Sequence, residues 1–207
     1  MKDYIRAALF STMLLCLSLF RCMPAMAATN VASLEKQKTS SIFLNEIGFG
    51  SGYARGTLKW DADDFSVYPA FVRIGFNINS LVGLSGGRST LQFALEPQIN
   101  TISGPKDGVE AGCGIGFRYF RQLADPVNLF FEASFAPMFL SIDTVEQGAA
   151  GFNFLDQLGA GIQYRLSSKT AVFGGYRWRH ISHAGISDRS NDGINSNAVV
   201  AGLSWLY

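Results

Sequence analysis

The sequence predicts an all-β protein, an eight-stranded antiparallel transmembrane β-barrel with an interior filled by side chains. Three observations lead to this prediction. The N-terminus has the pattern of an export signal, only 16% of the residues are charged although Gly and Phe are abundant, and apolar residues alternate with polar or small ones from about residue 42 onward. Beyond the signal there is no apolar run of roughly 18 residues, so strands are expected to cross the membrane.

Residues 1–27 are predicted to be a cleaved secretory signal peptide. A positively charged start and an apolar core precede Ala-Met-Ala at 25–27, a pattern typical of signal-peptidase sites. Two of the three cysteines lie in this segment, so only Cys113 remains and no internal disulfide is expected. We assign residues 28–41 to a periplasmic N-terminal segment and 42–207 to the barrel.

The strands are predicted from a repeated alternation with a period of two. In residues 91–100, Leu, Phe, Leu, Pro and Ile alternate with Gln, Ala, Glu, Gln and Asn, which suits a wall between lipid and a polar interior. Similar segments lie near 42–53, 68–77, 109–119, 128–139, 154–165, 170–183 and 195–207. The predicted extracellular connections are 54–66, 101–108, 140–153 and 184–194.

Inward-facing positions of the predicted strands collect glycines and charges of both signs. An eight-stranded barrel has room inside for side chains only, so we expect a filled lumen rather than a pore. The inward charges are predicted to form a buried network of ion pairs that holds the barrel closed. Its predicted members are Glu46, Glu96, Glu110, Glu132, Arg73, Arg118, Arg165, Arg177 and Arg179.

The seventh strand carries the candidate chemistry. Arg177 and Arg179 belong in the lumen, so the alternate residues His180 and Ser182 face lipid. An even number of strands places both termini in the periplasm and this pair at the extracellular rim. Asn195 opens the eighth strand with the same outward parity. We therefore predict Ser182 as nucleophile, His180 as general base and acid, and Asn195 as the group that orients His180.

Two short runs in this region carry a family resemblance. Residues 180–185 read His-Ile-Ser-His-Ala-Gly, and residues 191–195 read Asn-Asp-Gly-Ile-Asn. This resembles the outer-membrane lipid A 3-O-deacylases (PagL), whose motif is His-x-Ser-Asn-Ala-Gly, then Asn-x-Gly and an acidic or Asn position. Two positions depart from it: His183 replaces Asn, and Asn195 stands where the best-known members carry Glu. Asp188 or Asp192 is an alternative source of the missing carboxylate.

The resemblance implies an outer-membrane enzyme that hydrolyses the ester at the 3-position of lipid A and releases a 3-hydroxy fatty acid. Ser182 would attack the acyl carbonyl while His180 takes its proton. Asn191 and the backbone N–H groups near Ala184 and Gly185 are candidates for the oxyanion site. The substrate is lipopolysaccharide, and neither a metal nor a cofactor is implied.

Other predictions concern partners and rival functions. The formal net charge of +1 does not suggest a nucleic-acid partner. The last strand, which ends at Tyr207, resembles the C-terminal signature read by the barrel-assembly machinery, in agreement with an outer-membrane location. A homodimer is left open. The alternatives to a deacylase are a structural or adhesive barrel on the same scaffold and an acyltransferase with an acceptor site that the sequence does not reveal.

Overall fold

Eight antiparallel strands form a closed barrel, as the alternation predicts. A computed structural model of the chain describes residues 42–60, 64–84 and 87–207, so the predicted segments 1–27 and 28–41 lie outside the described residues. Each strand pairs with the next, and β8 pairs with β1 to close the sheet. The strands are β1 (Phe43–Thr57), β2 (Asp64–Asn77), β3 (Ser89–Ser103), β4 (Gly108–Ala124), β5 (Val127–Leu140), β6 (Gly151–Arg165), β7 (Thr170–Ser182) and β8 (Ile194–Leu206). In the described ranges, no helix has the length and apolar character to cross a membrane.

The first hairpin is longer than predicted. The segment 54–66, expected to be a loop, contributes to both β1 and β2. Arg55 pairs in register with Asn197 of β8 and with Ser66 of β2, and its guanidinium contacts the Asp64 carboxylate. The ladder continues to the rim of the barrel, where apolar alternation is no longer required, so these side chains can be polar. The hydrogen bonds of the ladder extend the strands where the hydrophobic pattern ends.

The lumen contains the predicted network of buried ion pairs. Glu132 contacts Arg118 at 3.0 Å and Arg177 at 2.5 Å. Glu96 contacts Arg177 at 2.7 Å and Arg73 at 2.6 Å. Two further pairs, Glu46 with Arg118 and Glu110 with Arg179, continue the network along the barrel axis. Each carboxylate therefore has a cationic partner in the interior, and the lumen is filled rather than open.

Arg165 was predicted to belong to this network, and that prediction is wrong. Its guanidinium contacts Asp125 in the connection between β4 and β5, at the opposite end of the barrel from His180. Arg165 is the last residue of β6, so its inward parity brings it only to the rim. The parity of a residue predicts which face of the sheet it lies on, but not how close to the rim of the barrel it lies.

Aromatic rings pack around the buried guanidinium groups. The Arg118 guanidinium carbon lies 4.3 Å from the ring centroid of Phe130 and 4.7 Å from that of Phe120. The inward glycine at position 50 makes room for such rings, because a Cβ there would overlap the ring of Phe71. Cation–π contacts of this kind stabilise charges that have been removed from water. Large and small inward residues thus complement one another, as a narrow barrel requires.

Candidate active site

The outer face of β7 carries the predicted His-x-Ser pair. Arg177 and Arg179 are buried in the lumen, and His180 and Ser182 take the opposite face, where both are half-buried. The predicted parity of this strand is therefore confirmed. Ser182 ends the strand, and the connection 183–193 begins immediately after it.

His180 and Asn195 meet across the hairpin between β7 and β8. They are directly paired in the ladder, and the Nδ1 atom of His180 lies 2.8 Å from the Oδ1 atom of Asn195. Since an amide oxygen only accepts, the Nδ1 atom carries the hydrogen and donates it. The lone pair is then on Nε2, the nitrogen that a general base uses toward a neighbouring hydroxyl.

Two further contacts hold the imidazole ring. The Trp178 indole, two residues earlier on the same face, stacks on it with centroids 5.8 Å apart and an interplanar angle of 12°. Gly193 adopts a φ of +74° and packs against the ring. A Cβ at position 193 would overlap the imidazole, with His180 Nε2 only 3.1 Å away. The ring is therefore fixed by an amide, an indole and a glycine.

Ser182 is next to this ring along the strand but is not bonded to it. Its Cα partner across the ladder is Phe154 of β6. In the part of the chain that the structure describes, no hydrogen bond joins the Ser182 hydroxyl to His180. The contact between a nucleophile and its base is often loose without substrate and tightens in the complex. The backbone brings the two groups to one face of the strand.

The turn after Ser182 exposes backbone donors. Ala184 and Gly185 both have positive φ angles, of +53° and +71°, and the Ile186 N–H donates to the His183 carbonyl at 3.1 Å. A positive φ is unusual for alanine and is often found at functional sites. Among the described residues, no acceptor takes the N–H groups of Ala184 and Gly185.

His183 and Asn191 hold the connection in place. His183 is fully buried and has the same inward parity as Arg177 and Arg179. Its backbone N–H donates to Asn191 Oδ1 at 2.9 Å, and its Nε2 lies 2.8 Å from the Ser190 carbonyl oxygen. The Asn191 side-chain oxygen is therefore occupied, whereas its Nδ2 donates to no group in the described ranges. His183 supports the loop and does not face Ser182.

Asp192 does not supply a carboxylate to His180, contrary to one hypothesis from the sequence. Its Oδ2 atom accepts a hydrogen bond of 2.7 Å from Trp60 Nε1, and its backbone N–H donates to the Glu146 carbonyl at 2.9 Å. Asp192 thus ties the connection 183–193 to two other loops. The alternative, Asp188, is exposed, and within the described chain it makes no contact with His180.

A different carboxylate flanks His180, and the sequence analysis missed it. Asp156 of β6 is the direct ladder partner of His180 on the side opposite Asn195. It is half-buried on the outer face. The outward parity of β6 could have indicated its face, but only the register between β6 and β7 puts it opposite His180. Carboxylate, imidazole and amide therefore lie in one row across three strands.

The arrangement combines a hydroxyl, an imidazole of fixed tautomer and free backbone donors, the parts needed for nucleophilic acyl transfer. Within the described residues, no group of three or more His, Cys, Asp or Glu side chains is placed to hold a metal ion.

The sequence profile of the lipid A 3-O-deacylase (PagL) family matches residues 45–204. The chain belongs to the PagL family. The PagL match extends over all eight strands and includes His180, Ser182 and Asn195.

Two solved structures share the PagL-type barrel. The crystal structure of Neisserial surface protein A is 16% identical, with a TM-score of 0.58, over 78% of this chain and 96% of that one. The crystal structure of the outer membrane enzyme PagL is 18% identical, with a TM-score of 0.56, over 76% of this chain and 97% of that one. At such identities the likeness shows the fold alone, an outer-membrane β-barrel. No curated protein matches the chain.

Proposed function

We propose that this protein is a lipid A 3-O-deacylase that hydrolyses the ester-linked acyl chain at the 3-position of lipid A and releases a 3-hydroxy fatty acid. The observation that carries the proposal is the 2.8 Å contact between His180 Nδ1 and Asn195 Oδ1 on the outer wall of a PagL-family barrel. It prepares His180 Nε2 to accept a proton, two residues from Ser182. A histidine with only a structural role would require neither this fixed tautomer nor a serine two residues away.

The first half of the reaction forms an acyl-enzyme. Ser182 Oγ attacks the acyl carbonyl carbon while His180 Nε2 takes the hydroxyl proton. The N–H groups of Ala184 and Gly185 and the Asn191 amide nitrogen are suited to stabilise the oxyanion. When the intermediate collapses, the bond from the carbonyl carbon to the sugar oxygen breaks, and His180 returns its proton to that oxygen.

The second half regenerates the enzyme. His180 removes a proton from water, and the hydroxide attacks the carbonyl carbon of the acyl-serine. The bond to Ser182 Oγ breaks, the serine recovers its proton from His180, and the free hydroxy acid leaves. Water is the only co-reactant, and each proton taken by the imidazole is returned within the cycle.

The position on the outer wall suits this substrate. The acyl chains of lipid A lie in the outer leaflet, so a site on the barrel wall reaches the ester without extracting the lipid. Beside the site the wall is aromatic: the rings of Phe135 and Phe154 stack with centroids 4.9 Å apart, and Phe152 packs edge-on to Phe154 at 4.9 Å. This surface is suited to acyl chains. With periplasmic termini, the site lies at the extracellular rim.

The second candidate is a barrel of the same scaffold with a structural or adhesive role. It is favoured by the similarity to Neisserial surface protein A, whose TM-score of 0.58 is no lower than the 0.56 for PagL. The fold therefore does not separate the two functions. Mass analysis of lipid A after incubation separates them, because only an enzyme changes the mass of lipid A.

The test compares the detergent-folded protein with its Ser182→Ala variant on purified lipopolysaccharide. We expect the unmodified protein to remove one hydroxyacyl chain from lipid A, with an equal amount of free acid, and Ser182→Ala to be at least about 10³-fold slower. Ser187→Ala, an exposed serine in the same loop, is the matched control and should behave like the unmodified protein. Equal lipid A masses from the protein and from Ser182→Ala would refute the proposal, and acid transferred to an acceptor would indicate an acyltransferase.

A further inference from the structure

Asp156 is an acidic side chain on a wall that is otherwise suited to lipid. Its ladder neighbours on the outer face are Phe135 of β5 and His180 of β7. No hydrogen bond or ion pair engages its carboxylate within the described ranges, and His180 is its direct neighbour across the ladder. Ionisable side chains on the lipid-facing wall of a barrel are costly, even if less so near the rim. We therefore expect Asp156 to have a functional role, and one that involves His180.

The neighbours of His180 show what is missing from the proposed site. Asn195 on β8 holds the imidazole but is neutral, and the other contacts are the indole of Trp178 and the backbone at Gly193. Ser182 on the same strand is also neutral. Among the described residues facing the ring from β6, β7, β8 and the connection 183–193, Asp156 alone is acidic. When His180 accepts the serine proton, this is the one negative charge beside the imidazolium.

We propose that Asp156 is a positioning residue for His180, and that it supplies the negative charge that the amide at position 195 lacks. The inference rests on the proposed hydrolase function. In a Ser-His-Asp triad, the acidic residue both fixes the tautomer of the histidine and stabilises its protonated ring. Here these two roles are divided between residues on two strands. Asn195 fixes the tautomer through Nδ1 from β8, and Asp156 stabilises the protonated ring from β6. Asp156 acts through His180.

The activity test uses the full-length protein folded in detergent, with release of hydroxy acid from lipopolysaccharide as the readout. We expect Asp156→Asn to lower the rate about tenfold or more, because the imidazolium that forms during the reaction loses the one negative charge beside it. Asp156→Glu keeps the charge and should keep most of the activity. Asp107→Asn, an exposed acid in another loop, is the matched control and should leave the rate unchanged.

A double variant separates a charge effect from a structural one. Asn195→Glu moves a carboxylate to the other flank of the imidazole, so Asp156→Asn combined with Asn195→Glu should recover activity that Asp156→Asn alone loses. A purely structural role for Asp156 would give no such recovery. If Asp156→Asn does not fold, Asp156→Ser takes its place in every comparison.

The outcomes separate this inference from the hydrolase proposal. An unchanged rate for Asp156→Asn beside an active unmodified protein would overturn this inference alone. An inactive unmodified protein would refute the hydrolase and, with it, this inference.

Discussion

The Nδ1 atom of His180 and the Oδ1 atom of Asn195 are 2.8 Å apart across the last hairpin of the barrel. Their pairing in the ladder sets this distance, because directly opposed residues on one face of an antiparallel pair have neighbouring side chains. The contact is thus built into the sheet and does not depend on a mobile loop. It links the chemistry of the site to the register of β7 and β8.

Asn195→Glu should retain or raise the rate of deacylation. A carboxylate at this position accepts the same Nδ1 hydrogen and also stabilises the imidazolium. Release of hydroxy acid from lipopolysaccharide measures the change. Asn197→Glu is the matched control, because it adds the same charge to the same face two ladder pairs away, opposite Trp178, and should not raise the rate. A strong loss in a folded Asn195→Glu barrel would argue that Asn195 does not orient His180.

Gly193→Ala should lower activity by roughly tenfold or more, since small displacements of catalytic groups are costly. The added methyl group would overlap the His180 ring, and the φ of +74° strains any residue with a side chain. Gly83→Ala separates the two effects, because Gly83 has a similar φ of +68° and open space around it. Equal activity of Gly193→Ala and the unmodified protein would show that the ring tolerates displacement.

Trp60→Phe should loosen the connection 183–193. It removes the indole donor that binds the Asp192 carboxylate at 2.7 Å, a charge-assisted hydrogen bond that joins two loops. We expect faster trypsin cleavage after Arg189 and slower deacylation, because the turn after Ser182 belongs to the same connection. Trp205→Phe, at the opposite end of the barrel, provides the control. Identical cleavage rates for the two variants would rule out this role of Trp60.

Glu132→Gln should destabilise the barrel by about 3–5 kcal/mol, because it leaves several buried guanidinium groups without their shared partner. Denaturant unfolding in detergent, followed by tryptophan fluorescence, measures the free energy of unfolding. Asp143→Asn is the control. The hydrogen bond from Lys106 holds the pKa of Asp143 below its ordinary value, but the pair is fully exposed and screened by solvent, so no change in stability is expected. Similar unfolding curves for both variants would mean that the lumen network is not needed for stability.

The alternation in the sequence determined the strand number, the faces of the strands and the shared outward face of His180 and Ser182, because side chains alternate along any strand. The alternation did not determine the strand ends, because the segment at Arg55 is polar and the depth of Arg165 depends on the neighbouring strands. Only the tertiary structure decided which residues oppose His180. Register arises from hydrogen bonds between strands, and a local pattern of period two leaves it open. That register places Asn195 and Asp156 on either side of His180, and packing between loops turns Asp192 toward Trp60 instead.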